Sequence, residues 1–151
     1  MRVVIQRVKG CFVSINGEIK SNIGSGLSVL AGFENEDTEE DLLWTASKIS
    51  NLRIFDNNEG VMNLSLKDIN GEMLIVSQFT LHAKTKKGNR PSYIKAAKPA
   101  IAIPLYEKFI KFCEKEIGKE IQTGEFGADM QISLINDGPV TIIIDSKNKD
   151  L

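Results

Sequence analysis

The chain has 151 residues, a length that corresponds to one domain with a hydrophobic core of its own. Apolar residues make up 42% and charged residues 26%, which is typical of globular proteins and far from a disordered composition. The 19 basic and 20 acidic residues leave a formal charge of −1. This balance excludes a protein that coats nucleic acid through its overall charge, but it allows a local basic patch.

Two cysteines and one histidine, Cys11, Cys113 and His82, restrict the possible chemistry. A structural zinc site needs four Cys or His ligands and a catalytic one usually three, so no such site is predicted, although a carboxylate-only Mg²⁺ site stays open. Nucleotide-binding glycine motifs and a nucleophile elbow are absent, and a Ser-His-acid triad would depend on His82 alone. No apolar run approaches the roughly 20 residues that span a bilayer, and no signal-peptide pattern opens the chain. We expect a reduced, cytoplasmic, soluble protein without membrane contact.

Four strands are predicted in the N-terminal half, at Arg2–Val8, Cys11–Ile15, Leu27–Phe33 and Leu52–Phe55. The first two are rich in β-branched residues, and Asn16-Gly17 after them predicts a two-residue hairpin turn. An acidic segment then predicts a helix start, with Asp37 or Thr38 as N-cap and Glu40 or Asp41 closing a capping box.

The C-terminal half predicts three more strands, at Glu72–Phe79, Met130–Ile135 and Val140–Asp145. A second helix is expected from Pro99 or Pro104 to Ile117, with Gly118 as its C-cap and Cys113 on its buried face. Strands and two helices in this order favour an α+β fold in one domain covering residues 1–151.

Two polar segments interrupt apolar strands. The segment Ser77-Gln78-Phe79-Thr80-Leu81 ends a strongly apolar strand, where polar groups must find partners or remain available to a ligand. In Asn136–Thr141, Gly138-Pro139 breaks a strand because proline cannot donate to the ladder, and a Gly-Pro bond adopts the cis form at modest cost. An ordinary strand end and an ordinary turn are the competing interpretations.

A third segment carries six cations and no acid: Lys84, Lys86, Lys87, Arg90, Lys95 and Lys98. Such a run is usually a solvated loop. Because it directly follows Ser77–Leu81, it would also place positive charge beside a pocket there, as an anionic substrate requires.

The chain resembles the D-aminoacyl-tRNA deacylase family (the D-tyrosyl-tRNA deacylase type) over essentially its whole length. Ser-Gln-x-x-Leu together with Asn-x-Gly-Pro-x-Thr is a specific pair of motifs. The segments that carry the resemblance are Met1–Val8, Arg53-Ile54-Phe55, Met62-Asn63-Leu64, Ser77–Leu81, Arg90-Pro91-Ser92, Thr123-Gly124, Ala128-Asp129-Met130 and Asn136–Thr141.

The resemblance implies a tRNA editing hydrolase that cleaves the ester of D-aminoacyl-tRNA and of glycyl-tRNA(Ala) and rejects L-aminoacyl-tRNA. It also implies mixed and antiparallel sheets in a barrel-like core with two main helices. The enzyme is expected to be a homodimer with active sites at the interface, in which a cis Gly138-Pro139 peptide enters the partner's pocket.

The resemblance also assigns roles to individual residues. The catalytic residues are Gln78, Phe79 and Thr80. The substrate-binding residues are Ser77, Ala102, Phe126, Met130, Gly138 and Pro139, with Phe126 and Met130 holding the terminal adenosine. Arg7 supports the Gly-Pro loop. Contacts to the tRNA backbone fall to Lys84, Lys86, Lys87 and Arg90, and no metal or cofactor is expected.

The residues fit this assignment physically, because rigid backbone can occupy the volume that an L side chain needs, and glycine lets that backbone approach closely. A site that works only by exclusion must also admit glycine as substrate. We favour water activated with help from the 2′-hydroxyl of the terminal ribose, with Gln78 and the amides of Phe79 and Thr80 stabilising the oxyanion. The alternatives are an esterase with Thr80 as nucleophile and a non-catalytic tRNA-binding module of the same fold.

Overall fold

The computed structural model describes residues 1–151. Eight strands, two α-helices and one short 3₁₀ helix follow in chain order: β1 (Arg2–Ile15), β2 (Glu18–Ile23), β3 (Gly26–Gly32), α1 (Glu39–Asn51), β4 (Phe55–Asp56), β5 (Met62–Leu64), β6 (Glu72–Ser77), the 3₁₀ helix (Phe79–His82), α2 (Pro99–Ile117), β7 (Gln122–Thr123) and β8 (Gln131–Asp145).

The long strand β1 organises the sheet because it pairs with three neighbours. Its first half runs antiparallel to β3, its second half runs antiparallel to β2, and β8 pairs antiparallel with both halves. Strand β6 then joins β3 in parallel, and β7 joins β6 in parallel, while β4 and β5 form a separate two-stranded sheet. The predicted α+β fold with a mixed, barrel-like sheet and two main helices is confirmed.

Both helices pack together and cover the sheet, and their ends follow the chemistry of the sequence. Thr38 caps α1 and forms a reciprocal capping box with Asp41, and Gly118 ends α2 in the left-handed conformation at a φ of 67°. Pro99 opens α2 at a position where no amide hydrogen is needed. Phe109 of α2 is fully buried in the main core, as is Cys113.

The Asn16-Gly17 hairpin is confirmed, with both residues at positive φ between β1 and β2. The division of the first strand in two is wrong, because Lys9 and Gly10 continue β1 between its flanking partners. The strand predicted at Leu52–Phe55 is also wrong, since only Phe55 belongs to a strand.

The two predicted C-terminal strands are one strand, β8, with a wide bulge. Gln6 pairs with Thr141 and Val8 with Asn136, so Arg7 alone faces residues 137–140. A bulge absorbs extra residues without ending the pairing on either side, which lets a strand carry a proline. The Gly-Pro turn therefore lies in the middle of β8, a strand whose only partner is β1.

Strand β6 ends at Ser77, two residues before the predicted end, and the chain turns into the 3₁₀ helix. The amide of Gln78 still donates to the carbonyl of Ala31 at 2.7 Å, which ties the end of β6 to β3. No helix of the structure is long and apolar enough to cross a membrane.

Candidate active site

A cavity of about 320 Å³ opens where the parallel strands β3 and β6 end side by side. Ala31 pairs with Ser77 at this edge, so residues that follow both strands share one wall. The lining residues are Ala31, Gly32, Phe33, Val76, Ser77, Gln78, Phe79, Ala97, Ala102, Phe126, Gly127, Ala128, Asp129, Met130 and Ile132. Sequence segments far apart in the chain thus meet in one mostly apolar recess with a few polar groups.

Ser77, Gln78 and Phe79 line this cavity, and Thr80 does not. The side-chain amide of Gln78 donates to the hydroxyl of Thr80 at 2.6 Å, so the hydroxyl fixes the orientation of Gln78. The first amides of a helix have no partner within it, which leaves those of Phe79 and Thr80 without an intrahelical acceptor.

Phe126 and Met130 also line the cavity. The ring of Phe126 packs on Tyr106 of α2 at 6.0 Å between centroids, and the Tyr106 hydroxyl donates to the carbonyl of Ile75 at 2.9 Å. Burial raises the pKa of Tyr106, so this hydroxyl keeps its proton. A Cβ on Gly124 would overlap the Met130 sulfur, so glycine there leaves room for Met130.

Gly138 and Pro139 lie outside this cavity, exposed at the tip of the β8 bulge. Their peptide bond is cis. The buried side chain of Arg7 donates from Nε to the carbonyl of Asp137 at 2.9 Å and from Nη1 to the carbonyl of Ile54 at 2.7 Å. Arg7 therefore joins the bulge to the segment that precedes β4.

The basic segment is exposed and free of ion pairs. The amide of Lys84 donates to the carbonyl of Ser92 at 2.8 Å, and the carbonyl of Lys84 accepts from the amide of Ser92 at 3.0 Å. These two bonds close a loop that carries three of the predicted cations. No salt bridge involves any cation of the segment: Lys84, Lys86, Lys87, Arg90, Lys95 and Lys98. Six unpaired positive charges thus lie on the segment between the 3₁₀ helix and α2.

His82 is buried and lies outside the cavity. Its Nδ1 lies 3.4 Å from an oxygen of Glu34, and its Nε2 is buried without a partner. The histidine is therefore not placed to activate a hydroxyl in the cavity. No group of three metal-ligating side chains occurs in the chain.

Several site residues were missed from the sequence. Asp129 is the only carboxylate that lines the cavity, and Gly32 and Phe33 enter through the parallel pairing of β3 with β6. Nothing in the β3 sequence distinguishes these residues from buried core. Asp129 belongs to the Ala128-Asp129-Met130 motif, so the sequence showed the residue. Its position in the recess depends on the loop between β7 and β8, which the sequence does not predict.

Comparison with known proteins places the chain among hydrolases. The D-Tyr-tRNA(Tyr) deacylase family matches residues 4–145. A D-aminoacyl-tRNA deacylase of Flavobacterium psychrophilum is 64% identical over 150 residues, covering 99% of this chain and 100% of that protein. A D-aminoacyl-tRNA deacylase of Parabacteroides distasonis is 61% identical with the same coverage.

Solved structures share the fold. One titled "c-Myc DNA Unwinding Element Binding Protein" superposes with a TM-score of 0.90 at 40% identity, over 96% of this chain and 98% of that one. A second, titled "Structural Analysis of a probable eukaryotic D-amino acid tRNA deacylase", gives 0.82 at 20% identity, over 95% and 97% of the two chains.

Proposed function

This chain belongs to the D-Tyr-tRNA(Tyr) deacylase family and is a hydrolase of ester bonds, and from this premise we propose how it acts. The cavity beside Ser77–Phe79 is the place where the ester between a D-amino acid and the terminal adenosine of tRNA is cleaved. The observation that carries the proposal is the cavity itself, which Ser77, Gln78 and Phe79 line together with Phe126 and Met130. The polar side chains and amides of Ser77–Phe79 suit the ester, and the apolar side chains of Phe126 and Met130 suit the adenine ring.

The reaction needs a water molecule and no covalent enzyme intermediate. The water oxygen attacks the ester carbonyl carbon, the bond from that carbon to the 3′ oxygen breaks, and the 3′ oxygen receives the proton relayed through the 2′-hydroxyl. Gln78 orients the ester, and the amides of Phe79 and Thr80 donate to the oxyanion. No metal or cofactor takes part in this scheme.

Thr80 is the nucleophile of the competing scheme. Its hydroxyl accepts a hydrogen bond from Gln78 and does not line the cavity, and no histidine or carboxylate bonds to it. A threonine hydroxyl without a base is a weak nucleophile. These contacts favour a role in which Thr80 holds Gln78 in place.

Selection for the D configuration requires something that occupies the space of an L side chain. We assign this to Gly138-Pro139 of a second copy, with Arg7 holding the loop, because Gly138 and Pro139 do not line the cavity of their own chain. Large apolar side chains are exposed on β1 and on β8 itself, among them Phe12, Ile135 and Ile143. Such exposed apolar surface is typical of an interface between subunits, which supports a homodimer with shared sites.

Glycine on tRNA(Ala) follows as a second substrate of the same site. Glycine has no side chain for the loop to exclude, so a site that rejects only L side chains hydrolyses glycyl-tRNA(Ala) as well. The tRNA backbone would lie along Lys84, Lys86, Lys87 and Arg90. We place this activity in the cytoplasm, where charged tRNA is used.

The alternative of a non-catalytic nucleic-acid-binding module is favoured by one observation, the unpaired basic segment, which suits any polyanion. An assay of aminoacyl-tRNA hydrolysis distinguishes the deacylase from the non-catalytic module. We expect the protein to release the amino acid from D-aminoacyl-tRNA and from glycyl-tRNA(Ala), and to leave matched L-aminoacyl-tRNA intact.

A substrate with a 2′-deoxy terminal adenosine tests the chemistry. Activity should fall strongly on this substrate, while its binding, measured by competition, should persist. Full activity without the 2′-hydroxyl would contradict the RNA-assisted scheme. Binding of both isomers without turnover of either would favour the non-catalytic module.

A further inference from the structure

An exposed apolar cluster begins in the cavity wall with one residue and continues outside it with two more. Phe79, Tyr93 and Ile94 keep 55%, 40% and 76% of their surfaces exposed. The rings of Phe79 and Tyr93 meet edge to face at 5.1 Å between centroids. We call these three residues the lip cluster. Large apolar side chains grouped at the mouth of a recess point to a contact with a ligand.

The lip cluster continues the cavity outward. Phe79 belongs to the cavity wall, whereas Tyr93 packs on the Phe79 ring and does not line the cavity. A ligand that fills the cavity and extends past Phe79 therefore meets Tyr93 next.

The backbone on both sides of Tyr93 is held in place. Ser92 exchanges two backbone hydrogen bonds with Lys84, and the carbonyl of Tyr93 accepts from the amide of Ala96 at 3.0 Å. The next residue, Ala97, donates to the carbonyl of Phe33 in the cavity wall at 2.8 Å. Tyr93 is thus a preorganised surface that binds at little cost in entropy.

Charge around the lip cluster identifies the kind of ligand. The segment from Lys84 to Lys98 carries six cations without an ion pair and without an acidic residue. Aromatic rings beside unpaired cations are the combination that binds single-stranded nucleic acid, because bases stack on the rings and phosphates pair with the cations.

We propose that Tyr93 stacks on the base of the cytidine that precedes the terminal adenosine of the substrate, with Ile94 covering its edge. This inference rests on the proposed function, which puts the adenosine in the cavity. Tyr93 thereby contributes to binding of tRNA outside the reacting ester, and free aminoacyl-nucleosides lack this contact.

The test compares two substrates and three variants. D-aminoacyl-tRNA carries the preceding cytidine, and D-aminoacyl-adenosine does not. Stacking on one base contributes roughly 1–3 kcal/mol, so Tyr93→Ala should lower the ratio of kcat/KM on tRNA to kcat/KM on the nucleoside by roughly 5- to 150-fold, through KM. Tyr93→Phe, which keeps the ring, should retain the wild-type ratio, and Tyr93→Leu, which keeps only apolar bulk, should resemble Tyr93→Ala.

Binding of unreactive oligonucleotides separates this inference from the proposed function. The wild type should bind cytidylyl-adenosine more tightly than adenosine, and Tyr93→Ala should remove the difference. If hydrolysis fails but this difference holds, the proposed function is wrong and the stacking surface remains.

Three results would overturn the inference. Equal losses on both substrates would mean that Tyr93 acts by positioning Phe79. An unchanged ratio in Tyr93→Ala would show that no base stacks there. A loss of dimer mass in Tyr93→Ala, measured by light scattering, would mean that a second copy of the chain covers the lip cluster.

Discussion

Arg7 on β1 and Asp137 on the β8 bulge are joined by a hydrogen bond across the sheet. The Arg7 guanidinium on β1 donates from Nε to the main-chain carbonyl of Asp137 on the β8 bulge at 2.9 Å, while its Nη1 binds the carbonyl of Ile54 at 2.7 Å. The side chain is almost fully buried, so its guanidinium needs partners within the protein, and these two carbonyls supply them. Arg7 therefore holds the Gly138-Pro139 turn together with Asn136, whose side chain accepts from the Val140 amide at 2.9 Å and donates to the Thr141 hydroxyl at 2.9 Å.

Replacement of Arg7 by alanine is expected to loosen the bulge. The buried carbonyl of Ile54 and the partly buried carbonyl of Asp137 lose a charged donor, which predicts a loss of roughly 1–3 kcal/mol in the free energy of unfolding, measured with urea. Discrimination between D- and L-aminoacyl-tRNA should fall as well. Lys9→Ala is the matched control, because Lys9 is exposed and approaches Asp137 only at 3.8 Å. If Arg7→Ala discriminates between D- and L-aminoacyl-tRNA as well as the wild type does, Arg7 is not needed for the loop to select the D configuration.

Thr80→Ala should retain substantial deacylase activity, because the hydroxyl is assigned no covalent role. A moderate loss is expected, since Gln78 loses the acceptor that holds its amide at 2.6 Å. Thr80→Ser restores the acceptor and should restore the rate. Single-turnover hydrolysis measures both. A fall as deep as that of Gln78→Ala, with tRNA binding intact, would favour the nucleophile scheme.

The triple variant Lys86→Ala, Lys87→Ala, Arg90→Ala should bind tRNA more weakly and with a flatter salt dependence. Each phosphate contact contributes about 0.7–0.9 to the slope of log K against log salt, so three contacts predict a decrease of about 2–3. A control triple replaces ion-paired lysines elsewhere on the surface: Lys67, Lys108 and Lys111. If the triple variant and the wild type show the same slope of log K against log salt, the basic segment is a solvated loop that does not contact tRNA.

Stability should fall in acid partly through Asp145. Burial raises the pKa of this carboxyl, but hydrogen bonds from the Lys147 amide and the Arg2 side chain outweigh burial and lower it below its usual range. A lowered pKa stabilises the fold above the unfolded value of about 3.9, and that stability disappears as the pH falls through the folded pKa. Asp145→Asn should therefore be less stable than wild type at pH 7, and the gap should narrow below about pH 4. A constant gap across this range in urea titrations would contradict this reasoning.

Local patterns predicted the elements whose causes are local. The Thr38–Asp41 capping box, the Asn16-Gly17 turn and the Gly118 cap each depend on a few adjacent residues. The continuity of strands β1 and β8, in contrast, does not depend on adjacent residues. Residues such as Lys9 and Pro139 stay within strands because distant partners pair on both sides of them, and a single sequence does not state those partners.

The candidate site divides in the same way. The family resemblance identified Ser77–Phe79 and Phe126 without showing that they line one recess, because that arrangement depends on tertiary contacts such as the parallel pairing of β3 with β6. Asp129 and Tyr93 acquire their positions from loops whose paths tertiary contacts determine. An aromatic residue within a run of six cations is nevertheless visible in the sequence, and this pattern would have identified Tyr93.

The central claim is that one chain supplies the cavity and a second supplies the Gly138-Pro139 loop. Two variants damage these parts separately. Gln78→Ala removes the group assigned to orient the ester. In Gly138→Ala, at a φ of 130°, an added Cβ would approach Val140 Cγ2 at 3.0 Å and Arg7 Nη2 at 3.2 Å. Gly60→Ala is the control, because Gly60 also has a positive φ and its added Cβ would meet nothing within 4 Å.

The most direct measurement is the rate of D-aminoacyl-tRNA hydrolysis by mixed dimers, in which one subunit carries Gln78→Ala and the other Gly138→Ala. Each homodimer should be strongly impaired. In a two-fold symmetric dimer the mixed form combines one intact cavity with one intact loop from the partner, so it should recover about half of the wild-type rate per dimer. Mixed dimers no more active than the two homodimers would contradict a site shared between subunits.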